Sequence, residues 1–403
     1  MTTVAIIAEY NPFHSGHKYQ IDKIREEFGS DTAVIAIMSG NYTQRGEIAF
    51  SDKLTRATMA TEAGVNLVLE LPFPYSSSAA DIFARSAVHI ASSINVVDYL
   101  SFGSECGDII LLTQAAEIML SEEYNAQFAK LKENKDLGYA KLCEAAYRSV
   151  VGDQNTLSFT PNNILAVEYI KAIICSGGSL RPHTVKRIGG GYSDSVVNPD
   201  KEFQSATALR GAFISSKDTA YKYIPEPTHK ILTEAEARGD APCDMDALSA
   251  AVISNFRLLN SVSVCNIHDA EDGIYNRLQK YSFEAATISS LLELSATKKY
   301  TNARLRRAMW NIFFGVTSSD VKTPPLFTQV LAMDKTGMQK LRDIRKKSDF
   351  PVLTKPSDYE SFTEVQRRQK DLSEKADSVF ELTKPLPKSG KTAIKLTPYI
   401  KKG

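Results

Sequence analysis

Along the first hundred residues, short runs that are apolar at nearly every position alternate with stretches whose apolar residues recur every three or four. VAIIAEY (4–10), AVIAIMSG (33–40), LVLELP (67–72) and VVDYLSFG (96–103) are of the first kind, whereas helices are predicted from about Gly16, from about Asp52 and over AADIFARSAVHIA (79–91). A strand that is apolar on both sides must be covered on both, and strands separated by helices run parallel. The pattern therefore predicts an α/β fold, a Rossmann-like doubly wound parallel sheet. Ligands of such sheets bind outside the carboxyl ends of the strands. EYNPFH, MSGNYTQRG, ELPFPY and FGSECGD all follow strands and are expected to converge on one crevice.

From about Thr113 to Val151 the pattern is helical, and FTPNNILAVEYIKAIICSGG (159–178) reads as a turn feeding a helix with a C-cap at Gly177-Gly178. Beyond Pro225-Glu226-Pro227 the strand signals fade, and segments such as Asp246 to Leu259 and Ser282 to Leu294 read as helices. Two domains are expected, residues 1–220 and a mainly helical region over 221–403.

Composition narrows the classes little. The 403 residues carry 48 basic and 47 acidic side chains, which argues against a generally polybasic nucleic-acid binder and directs attention to local patches. Five scattered cysteines without a C-x-x-C pair read as reduced thiols, not as a zinc site or a disulfide framework. No apolar run approaches the roughly 18 residues that cross a bilayer, and the start Met1-Thr2-Thr3 lacks a secretory pattern, so no membrane association and a cytoplasmic location are expected.

The chemistry concentrates after the first strand, in EYNPFHSGHK (9–18). A helix starting at His14-Ser15-Gly16-His17 offers unpaired N–H groups and positive dipole, a setting for phosphate. Gly16 lets backbone approach a ligand, while His14 and His17, three apart on one face of the first turn, are placed to donate to it. A second element, SATALR (205–210), puts Ser205 and Thr207 at a helix start as candidate caps and gives Arg210 a fork of donors for phosphate oxygens. The triple glycine 189–191 lacks the spacing of a dinucleotide loop.

These two elements resemble the signatures of the HIGH-type nucleotidyltransferase superfamily. Taken with MSGNYTQRGE, LVLELPFPYSSSAADIFARSAV, LSFGSECGD, PNNILAVEY, KRIGGGY and ATKKYTNARLRRAMWNIFFG, they resemble the bacterial tRNA(Met) cytidine acetate ligase family. The resemblance implies an ATP-dependent ligase that makes acetyl-adenylate from acetate, releases pyrophosphate, and acetylates the exocyclic amine of the wobble cytidine of elongator tRNA(Met). It implies an ATP site at Ile7, Ala8, Glu9, Tyr10, Asn11, Pro12, Phe13, His14, Ser15, Gly16, His17, Lys18, Tyr19 and Gln20. Gly103, Asn162, Arg187 and Ile188 complete that site, and His14, His17 and Arg210 are the catalytic candidates. Cys106 and Ala166 depart from the residues common in the family. Mg2+ is expected with the triphosphate, without a carboxylate ligand identified for it.

RNA binding would need clustered cations. TKKYTNARLRRAMW (297–310) supplies Lys298, Lys299, Arg304, Arg306 and Arg307, with a tyrosine and a tryptophan for stacking on bases; KLRDIRKK (340–347) and six lysines in the tail from Thr383 are further runs. An alternative is a small-molecule adenylyltransferase acting on a phosphorylated metabolite; a non-catalytic RNA-binding protein is a third reading. Oligomeric state is not legible.

Overall fold

A computed structural model describes residues 1–132, 138–152, 157–189, 196–260, 264–271, 273–394 and 397–402. The strands β1 (Thr3–Ala8), β2 (Ala33–Ser39), β3 (Leu67–Leu71), β4 (Tyr99–Ser104) and β5 (Arg181–Lys186) form a parallel sheet in the order β5-β4-β1-β2-β3. Helices α1 (Ser15–Phe28) and α2 (Lys53–Glu62) cover one face; α3 (Ala80–Ser93) covers the other, followed by α4 (Ile109–Leu120), α5 (Glu122–Lys132), α6 (Tyr139–Val151) and α7 (Pro161–Ser176).

Strand alternation explains why these runs are apolar throughout. Val4 and Ile6 join the core that holds Ile21 and Ile24 of α1, while Ala5, between them, joins the core that holds Phe83 and Ala87 of α3. Because helices change face after β3, the switch point falls between β1 and β4. Local signals set the helix ends: the Asp52 side chain accepts from Thr55 N at 2.8 Å, and Gly177 closes α7 with a left-handed φ of 61°.

The remaining chain is mainly helical: α8 (Ala206–Ser215), α9 (Lys217–Tyr221), α10 (Glu226–Ala237), α11 (Ser249–Leu258), α12 (Ile274–Ser282), α13 (Ile288–Ser295), α14 (Asn302–Phe314), α15 (Ser318–Lys322), α16 (Lys335–Lys347), α17 (Glu364–Phe380) and α18 (Gly390–Ile394). Of the pattern over Ser282 to Leu294, Ser282 closes α12 and the helix itself begins only at Ile288, where Thr287 caps it by accepting from Ser290 N at 3.1 Å. This half also returns to the sheet. Strand β6 (Thr328–Met333) adds antiparallel to β3, pairing Leu67 with Met333, and carries β7 (Val352–Leu353) and β8 (Tyr399–Ile400).

A buried ion cluster joins the two halves. Lys53 Nζ donates to both Glu70 oxygens at 2.7 Å and to Asp377 Oδ2 at 2.5 Å, and Asn41 Nδ2 donates to Asp377 Oδ1 at 2.9 Å. All three charged side chains are less than a tenth exposed, so their charges are tolerated only through one another.

Candidate active site

At the switch point a cleft of about 1150 Å³, open mouth included, is walled by residues 7–11 at and beyond the carboxyl end of β1, the first turn of α1 and the loop 43–47 after β2. Phe102 and Gly103 of β4, Asn162, Leu165 and Tyr169 of α7, Phe83 of α3, Arg187, and the start of α8 complete it. Three of the four expected strand-end segments thus contribute. ELPFPY does not line the cleft: Tyr75 is buried and its hydroxyl donates to Thr323 O at 2.8 Å, tying β3 to the C-terminal half.

The paired histidines cap the helix they begin. Gly16 N donates to His14 Nδ1 at 3.1 Å and His14 N to His17 Nδ1 at 3.2 Å, so each neutral imidazole carries its proton on Nε2. The rings lie 3.8 Å apart and both line the cleft. Burial, followed by the charges of Arg187 and Arg210, lowers the His14 pKa to about 3. Burial, His14 and Arg187 hold that of His17 well below the usual imidazole value. The helix start therefore presents two uncharged donors, which gain strength when negative charge arrives or develops beside them.

Arg210 reaches the same space from α8. Its Nη1 donates to Asn11 O at 3.0 Å and its Nη2 to Glu47 Oε2 at 2.7 Å and Thr207 Oγ1 at 3.3 Å. Ser205 lines the cleft and caps α8 by accepting from Ala208 N at 3.0 Å. Asn162 donates from Nδ2 to Glu105 Oε1 at 2.6 Å, which fixes the amide and leaves its oxygen as an acceptor. A Cβ on Gly103 would stand 3.1 Å from Arg187 Cγ, so glycine there gives Arg187 its place. A smaller adjoining lobe, bordered by His14, His17, Gln20 and Arg187, is faced by Tyr19, Ile188 and Phe203. Glu9 accepts from Gln44 N at 2.9 Å, and burial raises its pKa.

Several residues expected at the ATP site stand behind the walls of the cleft. Pro12 is buried, Phe13 is a core residue packed on Tyr10 and His17, the Ser15 hydroxyl donates to Tyr223 O at 2.8 Å, and Lys18 pairs with Asp22 along α1. They shape the turn and do not wall the cleft. Conversely, Thr43, Gln44, Glu47, Phe83 and Tyr169 line it and were not singled out by the sequence. All five lie within segments that carry the family resemblance, MSGNYTQRGE, LVLELPFPYSSSAADIFARSAV and PNNILAVEY. Arg56 was missed altogether: fully buried on α2, it donates to Ser51 O at 3.0 Å, Glu9 O at 2.5 Å, Ser39 O at 3.1 Å and Gly40 O, fastening the two strand ends that floor the cleft.

The basic runs divide. Lys298 and Lys299 are exposed, with Lys299 Nζ 5.0 Å from the Tyr300 ring centre, and Arg304 faces Asp269 at 3.4 Å. Arg306 and Arg307 turn inward to the cleft loop, donating to Glu47 Oε1 at 3.1 Å and Gln44 O at 3.3 Å. Trp310 does not stack outward; it is buried against Tyr42 and donates to Gly46 O at 2.8 Å. In the tail, Lys384 and Lys388 are held by Asp240 and Lys401 by Glu62, so these charges are internally compensated; Lys395 lies outside the described residues. Arg342, Arg345, Lys346 and Lys347 are exposed on α16, whose Lys340 bonds Thr3 at the amino end of β1, opposite the cleft. Gly190 and Gly191 of the triple glycine also lie outside the described residues.

Gly46 has φ 72°, and a Cβ there would meet Arg306 Cβ at 2.6 Å and Arg307 N at 2.8 Å. Gly46→Ala is expected to cost about 2 kcal/mol or more of stability and to lower nucleotide affinity by loosening the loop. Denaturant titration and ATP-binding calorimetry check both.

A parallel sheet with a helix start, two histidines and two arginines at its switch point defines a nucleotide-handling α/β protein. Comparison agrees: the HIGH Nucleotidyl Transferase family matches residues 1–393. The tRNA(Met) cytidine acetate ligase of Thermoanaerobacter sp. is 36% identical over 379 residues, 92% of this chain and 93% of that protein. The crystal structure of Thermotoga maritima TmcAL in its apo form superposes with a TM-score of 0.92 at 29% identity, covering 99% of both chains. The same protein bound with alpha-thio ATP gives 0.89 at 28% identity, covering 100% of both. The chain belongs to the HIGH nucleotidyltransferases, in the branch of the tRNA(Met) cytidine acetate ligases.

Proposed function

We propose that the protein is an ATP-dependent tRNA(Met) cytidine acetate ligase. The observation that carries this reading is the set of His14, His17, Arg187 and Arg210 gathered around one cleft at a helix start, in a chain whose relatives bear that name. Mg2+ bound with ATP would screen the phosphates. The lobe faced by Tyr19, Ile188 and Phe203 offers flat apolar surface to the purine, Asn162 its amide oxygen, and the histidines and arginines meet the phosphates. An acetate carboxylate oxygen attacks the α-phosphorus, the bond to the bridging oxygen breaks, and pyrophosphate leaves with charge that both Nε2–H groups stabilise by hydrogen bonding and Arg210 neutralises. The cytidine amine then attacks the acetyl carbonyl, AMP leaves, and a proton is lost from nitrogen. Neither step needs a nucleophile from the protein.

We assign this chemistry to residues 1–220 and the tRNA contacts to 221–403, with exposed Lys298 and Lys299 and the adjacent Arg304 supplying cations for phosphate. Among the described residues no helix is long and apolar enough to cross a membrane. The test is transfer of radiolabelled acetate to bulk tRNA with ATP and Mg2+. Label on cytidine of tRNA(Met), with stoichiometric pyrophosphate, is expected. Pyrophosphate release only on adding a phosphorylated metabolite would replace this reading with a small-molecule adenylyltransferase.

A further inference from the structure

We propose that Glu47 is the positioning residue for Arg210, and that helix α14 sets Glu47 through Arg306. The inference rests on the reading above, in which Arg210 meets the triphosphate. Glu47 stands between two guanidinium groups distant in sequence: Oε2 accepts from Arg210 at 2.7 Å and Oε1 from Arg306 at 3.1 Å.

An arginine on its flexible stem is useful to a phosphate only when its fork is already oriented. Here the orientation comes from the Glu47 carboxylate on one nitrogen and the Asn11 carbonyl on the other, the latter at 3.0 Å. Glu47 is itself held. Its backbone carbonyl accepts from Thr43 N at 2.9 Å, Gly46 N donates to Thr43 O at 2.8 Å, and α14 grips the turn through Trp310 on Gly46 O and Arg307 on Gln44 O. The approach is so close that only glycine fits at position 46. One carboxylate thus balances two cations and carries the placement of α14 into the cleft. The ATP site is completed by the half of the chain that bears Lys298 and Lys299, so the docked helical half is a condition for acetate activation before any tRNA arrives.

The experiment is acetate-dependent exchange of labelled pyrophosphate into ATP by the full chain without tRNA, comparing Glu47→Ala, Arg210→Ala, the double variant, Glu47→Gln and Arg306→Met, with thermal melting alongside. Glu47→Ala is expected to lower kcat about 10- to 100-fold, leaving KM for acetate unchanged. In the Arg210→Ala background the same substitution should cost nothing further, because Glu47 acts through Arg210. Glu47→Gln, which keeps one acceptor oxygen, should fall between, and Arg306→Met should lose several-fold although it never reaches ATP. If Glu47→Ala does not fold, Glu47→Gln takes its place in the cycle. Losses that add in the double variant, or wild-type exchange in every Glu47 variant, would overturn the proposal alone. Absence of exchange in the wild-type chain would overturn the functional reading and this one with it.

Discussion

His17→Asn should lower acetate-dependent ATP–pyrophosphate exchange about 100- to 1000-fold while leaving the fold and tRNA affinity intact. The two ring nitrogens do different work. Nδ1 accepts from His14 N at 3.2 Å and belongs to the cap of α1; Nε2 carries the proton toward the cleft. An asparagine amide oxygen falls near the position of Nδ1, so the cap survives and only the donor is lost. Alanine removes both and should add about 1 kcal/mol of instability. Glutamine, whose amide reaches the position of Nε2, should recover part of the rate. The measurements are exchange rate, melting temperature and tRNA binding on the three variants; an asparagine variant with wild-type exchange would remove His17 from the chemistry.

The second large effect is on stability. Lys53→Met should destabilise the protein by about 3–5 kcal/mol, because methionine fills the space but leaves Glu70 and Asp377 buried without a cation. The loss should depend on pH. Burial raises the Glu70 pKa, and Lys53 is the first charge that opposes the rise; without it the folded value climbs further above the unfolded one of about 4.3. Below the unfolded value both states hold the proton and the substitution costs least. As pH rises through the folded value, the native state binds more protons than the unfolded one and stability falls. Urea midpoints of variant and wild type at pH 5.5 and pH 8 check this, with the larger gap expected at pH 8. Equal gaps would mean that the carboxylates have found other partners.

The cleft and the ion cluster were unequally legible in the sequence. His14, His17, Gly103, Asn162, Arg187 and Arg210 could be named because each sits at a strand end or a helix start, where local pattern locates it and resemblance supplies a role. The parallel strands were readable for the same reason, since burial on two faces writes itself into consecutive residues such as Val4, Ala5 and Ile6. Phe13 stands inside the motif, yet its side chain turns to the core, a direction that spacing does not encode.

What the sequence determined by itself was the doubly wound sheet and the cleft-facing turn of α1, because these depend on periodicities and caps within about twenty residues. Tertiary structure alone decided that β6 closes on β3, that Glu47 lies between Arg210 and Arg306, that Arg56 fastens two strand ends, and that Trp310 and Lys384 are buried rather than offered to RNA. Glu47 and Arg306 are 259 residues apart, and Lys53 and Asp377 are 324 apart. Over such distances a charge carries no local mark of its partner. Whether a cation meets solvent, a carboxylate or a carbonyl is settled only when the packed elements exclude water from it.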